Sequence, residues 1–512
     1  MKRRVVVSMI VFVSIGGHIG STRHVAAQSS CQALKSLELT NATVTSATEV
    51  AAGEGGPGMP AGCRVIGVSA PTSDSRIGFE VWLPLTSWNG KFQQVGNGGF
   101  AGSIPTNAMR APLMRGYAVA ATDDGHQSEA GTDASWALGH PEKVIDFGYR
   151  AVHETSLQAN AIIKAFYGKA PTHSYFVGCS DGGREALMEA QRYPEDFGGI
   201  VAGAPANYFT RLLFNAVWVQ QALAAEPGSA IPPEKLSVLQ TAALAQCDTV
   251  DRVKDGIISH PKRCTFDPAT VQCKGADGPD CLTAAQVTAA KKIYSGPKNP
   301  RTGQQILPGY TPGTEAIAGT WGPWLTGVGG RIPLAHQFAK SFFSSMVFED
   351  ANWDFRSFNF DSHVDLSNKK TAHAVNSDNP DLTKFRARGG KLIQYHGWAD
   401  AAVTPYSSIE YFDAVQARMA PKGGGTGDFY RLFLVPGLAH CFGGVGATEV
   451  DVVTALDRWV HDGVAPDHLI ATATGPADPA RSKMARPVCP YPQVPEYRGT
   501  GDTNDAANFV CR

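Results

Sequence analysis

The segment 175–184, YFVGCSDGGR, limits the possible folds of this chain more than any other segment. A β-branched and aromatic run ends at Gly178, and Ser180 follows in a Gly-x-Ser-x-Gly pattern that closes at Gly182. Such a serine lies on a sharp turn from a strand to a helix, which exposes its hydroxyl above a parallel sheet. Because turns of glycine and serine are common, the pattern needs support from the elements around it.

Strand-like and helix-like patterns alternate on both sides of this turn. Short β-rich runs cover residues 76–124, an amphipathic helical pattern covers 146–168, and a strand, a helix and another strand follow up to Pro205. This alternation predicts βαβ units and a mainly parallel sheet flanked by helices. The pattern breaks after Pro205 and resumes near residue 385, so we predict one α/β domain, residues 28–206 and 382–512, interrupted by an insertion at 207–381.

The N-terminus has the features of a secretory signal peptide. Three basic residues at positions 2–4 precede an apolar run from Val5 to Ile15, and small residues at 25–27 provide a cleavage site. A membrane anchor is the alternative, but the run is shorter than the roughly 20 apolar residues that span a bilayer. We predict a signal peptide at residues 1–27 and a secreted or periplasmic protein.

Composition excludes several kinds of partner. With 45 Lys and Arg against 46 Asp and Glu, the net charge is -1, which gives no long-range field for nucleic acid or an anionic membrane. No segment after the signal peptide is apolar enough to span a membrane. The ten cysteines are an even number and favour disulfides in an oxidising compartment, whereas the absence of any C-x-x-C pair argues against zinc.

A base and an acid for Ser180 follow it in the order expected of an α/β-hydrolase fold, which is the fold class that we predict. Asp400 follows the strand-like segment KLIQYHGWAD, and His440 follows FYRLFLVPGLAH. We predict that Ser180 is the nucleophile, His440 the base and Asp400 the acid that orients it. His396 is a rival base, but it precedes the acid and lies within the strand; His440 could also be a surface-loop histidine.

Backbone N–H groups near the serine could stabilise an oxyanion. The N–H of Asp181, the first residue after the nucleophile, is one candidate. The second would come from Gly98 or Gly99 in the segment QVGNGGFAG, where the lack of a side chain allows close approach of the backbone. The sequence does not decide between these two glycines, and a glycine-rich turn without a catalytic part is the alternative.

Two cysteines stand next to the predicted catalytic residues, since Cys179 precedes Ser180 and Cys441 follows His440. If Ser180 and His440 are hydrogen-bonded, their neighbours are also close, and a disulfide requires Cα atoms only about 4.4 to 6.8 Å apart. We predict that Cys179 and Cys441 form a disulfide that joins the nucleophile turn to the histidine loop. Cys179 itself is a poor candidate nucleophile, because an oxidised cysteine has no thiolate.

Three segments give the chain a family resemblance: GCSDGGREALMEAQRYPEDFGGIVAGAPA around Ser180, HGWAD at Asp400 and GLAHC at His440. They resemble the tannase and feruloyl esterase family, which also contains mono(2-hydroxyethyl) terephthalate hydrolase. The resemblance implies a secreted serine esterase acting on small esters of hydroxycinnamic, gallic or terephthalic type acids, with no organic cofactor and with the insertion as a lid. A lipase or thioesterase, or a binding protein of this fold without catalysis, is the alternative.

The segment CDTVDRVKDGII places Asp248, Asp251 and Asp255 in one short loop. Carboxylates and backbone carbonyls in a tight loop can supply the roughly six to eight oxygens that calcium prefers, although aspartate-rich turns are usually just solvated. The family resemblance implies a structural calcium site in the lid, with the carbonyls of Val253 and Ile257 as further ligands.

The resemblance and proximity along the chain also imply four more disulfides, namely Cys31–Cys63, Cys247–Cys264, Cys273–Cys281 and Cys489–Cys511. Val403 stands three residues after Asp400, where a small side chain would widen an acyl pocket. Aromatic residues of the insertion, among them Trp321, Trp324, Phe342 and Phe343, are candidates for substrate contacts. Because aromatic residues of a lid more often pack in the core of the lid itself, each of these residues could instead be a core residue without a contact to substrate.

Overall fold

The computed structural model describes Met1 and residues 30–420, 425–473 and 483–512. The predicted signal peptide lies, apart from Met1, outside the described residues. Within those residues, none of the helices is both long and apolar enough to cross a membrane.

Nine strands of the described residues form one sheet, in the order β1-β2-β3-β5-β4-β6-β7-β8-β9. Strands β1, β2, β3 and β5 pair antiparallel, and every pairing from β5 to β9 is parallel. The strands of this sheet are β1 Ala42–Val50, β2 Gly62–Ser69, β3 Ile77–Pro84, β4 Lys91–Val95, β5 Ala118–Thr122, β6 His173–Cys179, β7 Gly199–Gly203, β8 Lys391–Gly397 and β9 Tyr430–Val435. The predicted mainly parallel sheet is therefore confirmed.

Helices cover both faces of the sheet. Alternation of side chains along each strand sends Phe176 to one face and Tyr175 to the other, and both are fully buried. Helices α3, α4 and α12 pack on the first face, and α1 and α13 on the second. The helices are α1 Thr106–Met114, α2 Pro141–Ile145, α3 Ala151–Tyr167, α4 Asp181–Arg192, α5 Phe209–Leu223, α6 Leu236–Cys247, α7 Ala284–Ser295, α8 Leu334–Phe342, α9 His363–Ser367, α10 His373–Val375, α11 Thr383–Ala387, α12 Pro405–Met419 and α13 Val452–Asp462.

The inserted segment, residues 204–390 between β7 and β8, contributes no strand to the large sheet. Its helices α5 to α10 build a second hydrophobic core, in which Phe214, Trp321 and Phe343 are fully buried, whereas Phe385 of α11 packs in the core of the sheet. Phe100 and Phe147 of the sheet domain pack in this second core, so the inserted segment is joined to the sheet by shared apolar burial.

Short antiparallel pairings, which the sequence did not indicate, follow the large sheet toward the C-terminus. Strands β10 Glu449–Val450, β11 Leu469–Thr472 and β12 Ala485–Val488 form one small sheet, and β13 Pro495–Tyr497 pairs with β14 Phe509–Cys511. These strands have two to four residues, which is too short for a period of two residues to be recognised in the sequence.

Five disulfides account for all ten cysteines, and all five predicted pairings are confirmed. They are Cys31–Cys63, Cys179–Cys441, Cys247–Cys264, Cys273–Cys281 and Cys489–Cys511. Four of them close loops of 8 to 32 residues, whereas Cys179–Cys441 joins residues 262 positions apart. That long-range bridge lies at the site described next.

Candidate active site

Ser180 stands at a strained turn between β6 and α4. Its backbone has φ 65° and ψ -119°, a conformation that residues other than glycine rarely adopt and that occurs at functional sites. A Cβ atom at Gly178 would lie 2.3 Å from the carbonyl oxygen of Gly182, and one at Gly182 would lie 2.8 Å from the carbonyl oxygen of Asn97. Only glycines therefore allow the chain to turn this sharply, which is the physical basis of the Gly-x-Ser-x-Gly pattern.

The side chains of Ser180, His440 and Asp400 form one continuous line of hydrogen bonds. The distance from Ser180 Oγ to His440 Nε2 is 2.8 Å, and that from His440 Nδ1 to Asp400 Oδ2 is 2.7 Å. Since a carboxylate only accepts, Nδ1 of His440 carries a proton and Nε2 is left to accept the serine O–H. Asp400 and His440 each stand in the loop that follows a parallel strand, β8 and β9, at the same edge of the sheet as Ser180.

Asp400 is held as a carboxylate although it is buried. Its Oδ1 accepts the backbone N–H groups of Ala402 at 2.8 Å and Val403 at 2.9 Å. Burial by itself would raise the pKa of Asp400, but the attraction of His440 and the hydrogen bonds from His396 and His440 together hold that pKa below its usual value. The site thus keeps a negative charge beside His440.

The disulfide between Cys179 and Cys441 connects the two loops that carry Ser180 and His440. The two Cα atoms are 5.9 Å apart. Cys441, like Ser180, has a φ of 65°, so each of the two loops contains one residue with a positive φ, which is a strained backbone conformation for a residue with a side chain. The bridge constrains both of these strained positions against each other.

Two backbone segments border the cavity at the serine. In the first turn of α4, Gly182 donates to the carbonyl of Asn97 at 2.8 Å and Gly183 donates to that of Ser180 at 3.1 Å, while the N–H of Asp181 has no acceptor among the described residues. Gly98 and Gly99 lie along the same cavity as Ser180 and Asp181. Because the hydrogen bond between Gly182 and Asn97 joins the two segments, their relative position is set by the backbone itself.

A buried charged cluster lies beneath this turn. Arg184 is fully buried and donates to the carboxylate of Asp181 at 2.5 Å and to the carbonyl of Gly148 at 2.6 Å. Carboxylate oxygens of Asp124, Asp181 and Glu185 lie within 4.8 Å of one another. Burial, together with the charge of Asp181, raises the pKa of Glu185 to about 7. Glu185 also accepts the N–H of Asn97 at 3.0 Å, next to the glycines of the loop.

An apolar cavity of about 310 Å³ opens at the serine, between the sheet domain and the inserted segment. Its aromatic lining consists of Phe209, Tyr310, Trp324, Phe338 and Phe442. The ring of Trp324 meets that of His440 edge to face with 5.3 Å between the ring centroids. Val403 lines the cavity as well, as the sequence predicted, together with small aliphatic side chains from α5 and α8. This size and lining are typical of sites for small apolar ligands.

The predicted contacts of Phe342 and Phe343 with the cavity are wrong. Both rings are fully buried in the core of the inserted segment, where they pack against Phe209 and Phe214 respectively. Phe338, one turn earlier on α8, lines the cavity instead. A helical pattern shows which face is apolar, but it does not show which turn of that face ends at an opening.

The aspartate loop of the inserted segment is closed by its own carboxylates. Asp248 accepts backbone N–H groups of residues 255–257 at 3.1 to 3.3 Å, and Asp251 accepts the N–H of Val253 at 2.9 Å. Asp255 accepts from the N–H of Ile257 at 3.2 Å and from Arg486 at 3.0 Å. Burial raises the pKa of Asp251 and of Asp255, and the charge of Asp248 adds to the rise in both. Three half-buried or buried carboxylates thus crowd one loop, with one arginine beside them.

The family described as Tannase and feruloyl esterase matches residues 63–512. The chain belongs to this family. It is 40% identical to an uncharacterized esterase from Xanthomonas campestris, covering 95% of this chain and 92% of that protein. It is 33% identical to mono(2-hydroxyethyl) terephthalate hydrolase from Piscinibacter sakaiensis, covering 88% and 85% of the two chains.

A solved structure supports the same conclusion. Feruloyl esterase B from Aspergillus oryzae superposes with a TM-score of 0.85 at 28% identity, covering 94% of this chain and all of that one. The fold is therefore of the α/β-hydrolase type, and the chain is a carboxylic ester hydrolase of the tannase and feruloyl esterase family. Several residues at the site were not predicted, notably Glu185 and Phe338, because no local pattern distinguishes them from ordinary core residues.

Proposed function

We propose that this esterase hydrolyses small esters of aromatic carboxylic acids through an acyl-enzyme formed on Ser180. The observation that carries the proposal is the unbroken hydrogen-bonded line from Ser180 through His440 to Asp400, which opens into an aromatic cavity. A serine hydroxyl is a weak nucleophile, and it needs an adjacent base that a third group orients. Each requirement is met by one named side chain.

The reaction has two halves. Ser180 Oγ attacks the ester carbonyl while its proton passes to His440 Nε2, and the tetrahedral intermediate collapses as His440 returns this proton to the departing alcohol. Water then attacks the acyl-enzyme, again giving a proton to His440, and the carboxylic acid leaves as Ser180 regains its hydrogen. Asp400 fixes the tautomer of His440 and stabilises the imidazolium that forms in each half.

The negative oxygen of each intermediate needs donors that are already in place. The N–H of Asp181 supplies one, since it has no other acceptor among the described residues, and the N–H of Gly98 or Gly99 supplies the second. The hydrogen bond from the N–H of Gly182 to the carbonyl of Asn97 supports this assignment, because it fixes the start of α4 relative to the loop of Gly98 and Gly99. Ser180 lines the same cavity as these segments, which supports the assignment.

The cavity supports an aromatic acyl group as the preferred substrate. Its rings offer edge and face contacts to a flat ligand, and burial of such a ligand is favourable at about 25 cal/mol per Å² of apolar area. Two related proteins also support an aromatic acyl group, since one is a feruloyl esterase and the other is mono(2-hydroxyethyl) terephthalate hydrolase. Helices α5 and α8 of the inserted segment form much of the lining, so we assign this segment the part of a lid.

We also propose a structural calcium ion and an exported protein. The chemistry of the donors supports calcium, because Asp248, Asp251 and Asp255 bring hard oxygens together in one short loop. Burial, with a smaller part from the neighbouring carboxylates, raises the pKa of Asp251 and of Asp255, and a cation would offset the cost of their charges. The carbonyls of Val253 and Ile257 would complete the set. Five disulfides support an oxidising compartment, and they agree with a signal peptide at residues 1–27.

Kinetics with methyl ferulate and p-nitrophenyl acetate test the proposed mechanism. We expect Ser180→Ala and His440→Ala each to lower kcat by roughly 10³-fold or more. Ser237→Ala, a change at an exposed serine of α6, serves as the matched control and should leave the rates unchanged. Near-normal turnover by Ser180→Ala, with the melting curve of the wild type, would refute the assignment of the nucleophile.

A further inference from the structure

A second histidine, His396, contacts the same oxygen of Asp400 as His440 does. Its ring is fully buried in β8, and its Nε2 lies 3.1 Å from Oδ2 of Asp400 and 3.0 Å from the carbonyl oxygen of Val403. The same Oδ2 accepts from His440. Asp400 thus receives two imidazole donors on one oxygen and two backbone donors on the other.

The partners of His396 determine which of its nitrogens carries the proton. Both groups at Nε2, a carboxylate oxygen and a carbonyl oxygen, can only accept, so Nε2 must donate. On the other side, Nδ1 lies 2.7 Å from the hydroxyl of Ser408 in α12. That hydroxyl already accepts the side-chain N–H of Gln394 at 2.6 Å, which leaves its own hydrogen to be donated to Nδ1. A single tautomer satisfies every contact.

The line continues beyond Ser408 to a buried end. Gln394 uses its amide nitrogen toward Ser408, so its oxygen accepts the hydroxyl hydrogen of Tyr430 in β9. Gln394, His396, Ser408 and Tyr430 are all fully buried. Every donor in this chain therefore points toward Asp400, and hydrogen bonds aligned in one direction polarise and strengthen one another in a buried environment.

We propose that His396 is a positioning residue that fixes the carboxylate of Asp400 for its contact with His440. This inference rests on the proposed function, because it assigns Asp400 its catalytic part. His396 does not line the cavity, so it acts through Asp400 and not on the substrate. Without the N–H of His396, Oδ2 keeps a single donor and the carboxylate is freer to turn about its Cβ–Cγ bond, so the His440 ring loses its fixed orientation.

Two polar substitutions of similar character separate this role from simple packing. In His396→Gln the amide nitrogen can occupy the place of Nε2 and still donate to Asp400. In His396→Asn the shorter side chain reaches only the place of Nδ1, so it keeps the contact with Ser408 and loses that with Asp400. Since a displacement of about 1 Å at a catalytic group can cost 10²-fold in rate, we expect kcat to fall about 10²-fold in His396→Asn and less than 10-fold in His396→Gln. KM should stay within about threefold of the wild type in both.

The measurement compares kcat, KM and thermal melting of the wild type and both variants on methyl ferulate. Equal kcat in the two variants, or a loss of kcat that follows the loss of melting temperature alone, would overturn the positioning role and leave His396 as a core residue. An active Ser180→Ala variant would instead refute the proposed function, so the two failures can be told apart. Ser408→Ala adds a further check: it removes the donor that selects the tautomer, and we expect a fall in kcat smaller than that of His396→Asn.

Discussion

Removal of the disulfide between Cys179 and Cys441 separates two effects that this bridge combines. The double variant Cys179→Ala/Cys441→Ala removes a covalent bond between residues that are 262 positions apart in the chain. In the chain-entropy description, a closed loop of this length restricts the unfolded chain by about 5.6 kcal/mol at 25 °C, while most measured disulfides contribute about 2–4 kcal/mol. A loss of stability of about 2–5 kcal/mol is therefore expected whether or not the bridge has any part in catalysis.

The structure predicts a second effect, on turnover. Ser180 and Cys441 both have a φ of 65°, and a residue held in such a conformation costs on the order of 1–3 kcal/mol that the surrounding structure must supply. When the covalent link is lost, both loops can relax toward ordinary conformations and the 2.8 Å contact between Ser180 and His440 lengthens. We expect kcat to fall on the order of 10²-fold while KM changes little.

The assay measures kcat at temperatures where circular dichroism shows the variant to be folded. Cys31→Ala/Cys63→Ala is the matched control, since this bridge closes 32 residues at the antiparallel edge of the sheet, far along the sheet from β6. The same entropy description gives it about 3.7 kcal/mol, so its variant should melt earlier and keep the kcat of the wild type. Wild-type turnover by the Cys179→Ala/Cys441→Ala variant below its melting transition would refute the positioning argument.

Two further predictions concern the aspartate loop and the buried acid. Excess EDTA should lower the melting temperature of the calcium-loaded wild type without changing kcat below the transition, because calcium at a hundredfold excess over its Kd contributes about 2.7 kcal/mol to stability. Asp251→Asn should remove this response to EDTA. If EDTA leaves the melting temperature of the calcium-loaded wild type unchanged, that result would count against calcium. Burial raises the pKa of Glu185 in the folded protein to about 7, above its ordinary value of 4.5, so the folded state binds the extra proton and stability should decline as pH rises through this interval. Glu185→Gln should flatten that decline in urea titrations at pH 5 and pH 7, and an unchanged slope would contradict a protonated Glu185 in the folded protein.

The parts of the fold that the sequence predicted correctly depend on local rules with few exceptions. Gly168 marks the end of α3 and has a φ of 71°, which a residue with a side chain adopts only with strain. The Gly-x-Ser-x-Gly turn is equally local, because the clash of any Cβ at Gly178 with Gly182 is independent of the rest of the molecule. Such positions can be identified from a single sequence.

The lining of the cavity could not be predicted in this way. Phe338 and Phe342 lie four residues apart on α8, so they share one face and have the same apolar character. Phe338 lines the cavity, while Phe342 is covered by Phe209 and Phe343. The difference is one helical turn of about 5.4 Å, and it is decided by where α5 and α8 cross, which no periodicity in the sequence records.

The hydrogen-bonded line of Ser180, His440 and Asp400 is an intermediate case, in which a local pattern becomes informative only through its partner. A cysteine before a serine and a cysteine after a histidine are each unremarkable, but a disulfide and a serine–histidine hydrogen bond can both form only if the two loops meet in one orientation. That double requirement is why the pairing of distant residues could be predicted. No sequence pattern marks His396 in this way. Its proposed role follows from two acceptors at Nε2 and the hydroxyl of Ser408 at Nδ1, and these contacts are known only from the positions of β8 and α12 in the structure. Residues that act through hydrogen-bond direction are therefore the last to be found from sequence and among the first that a structure identifies.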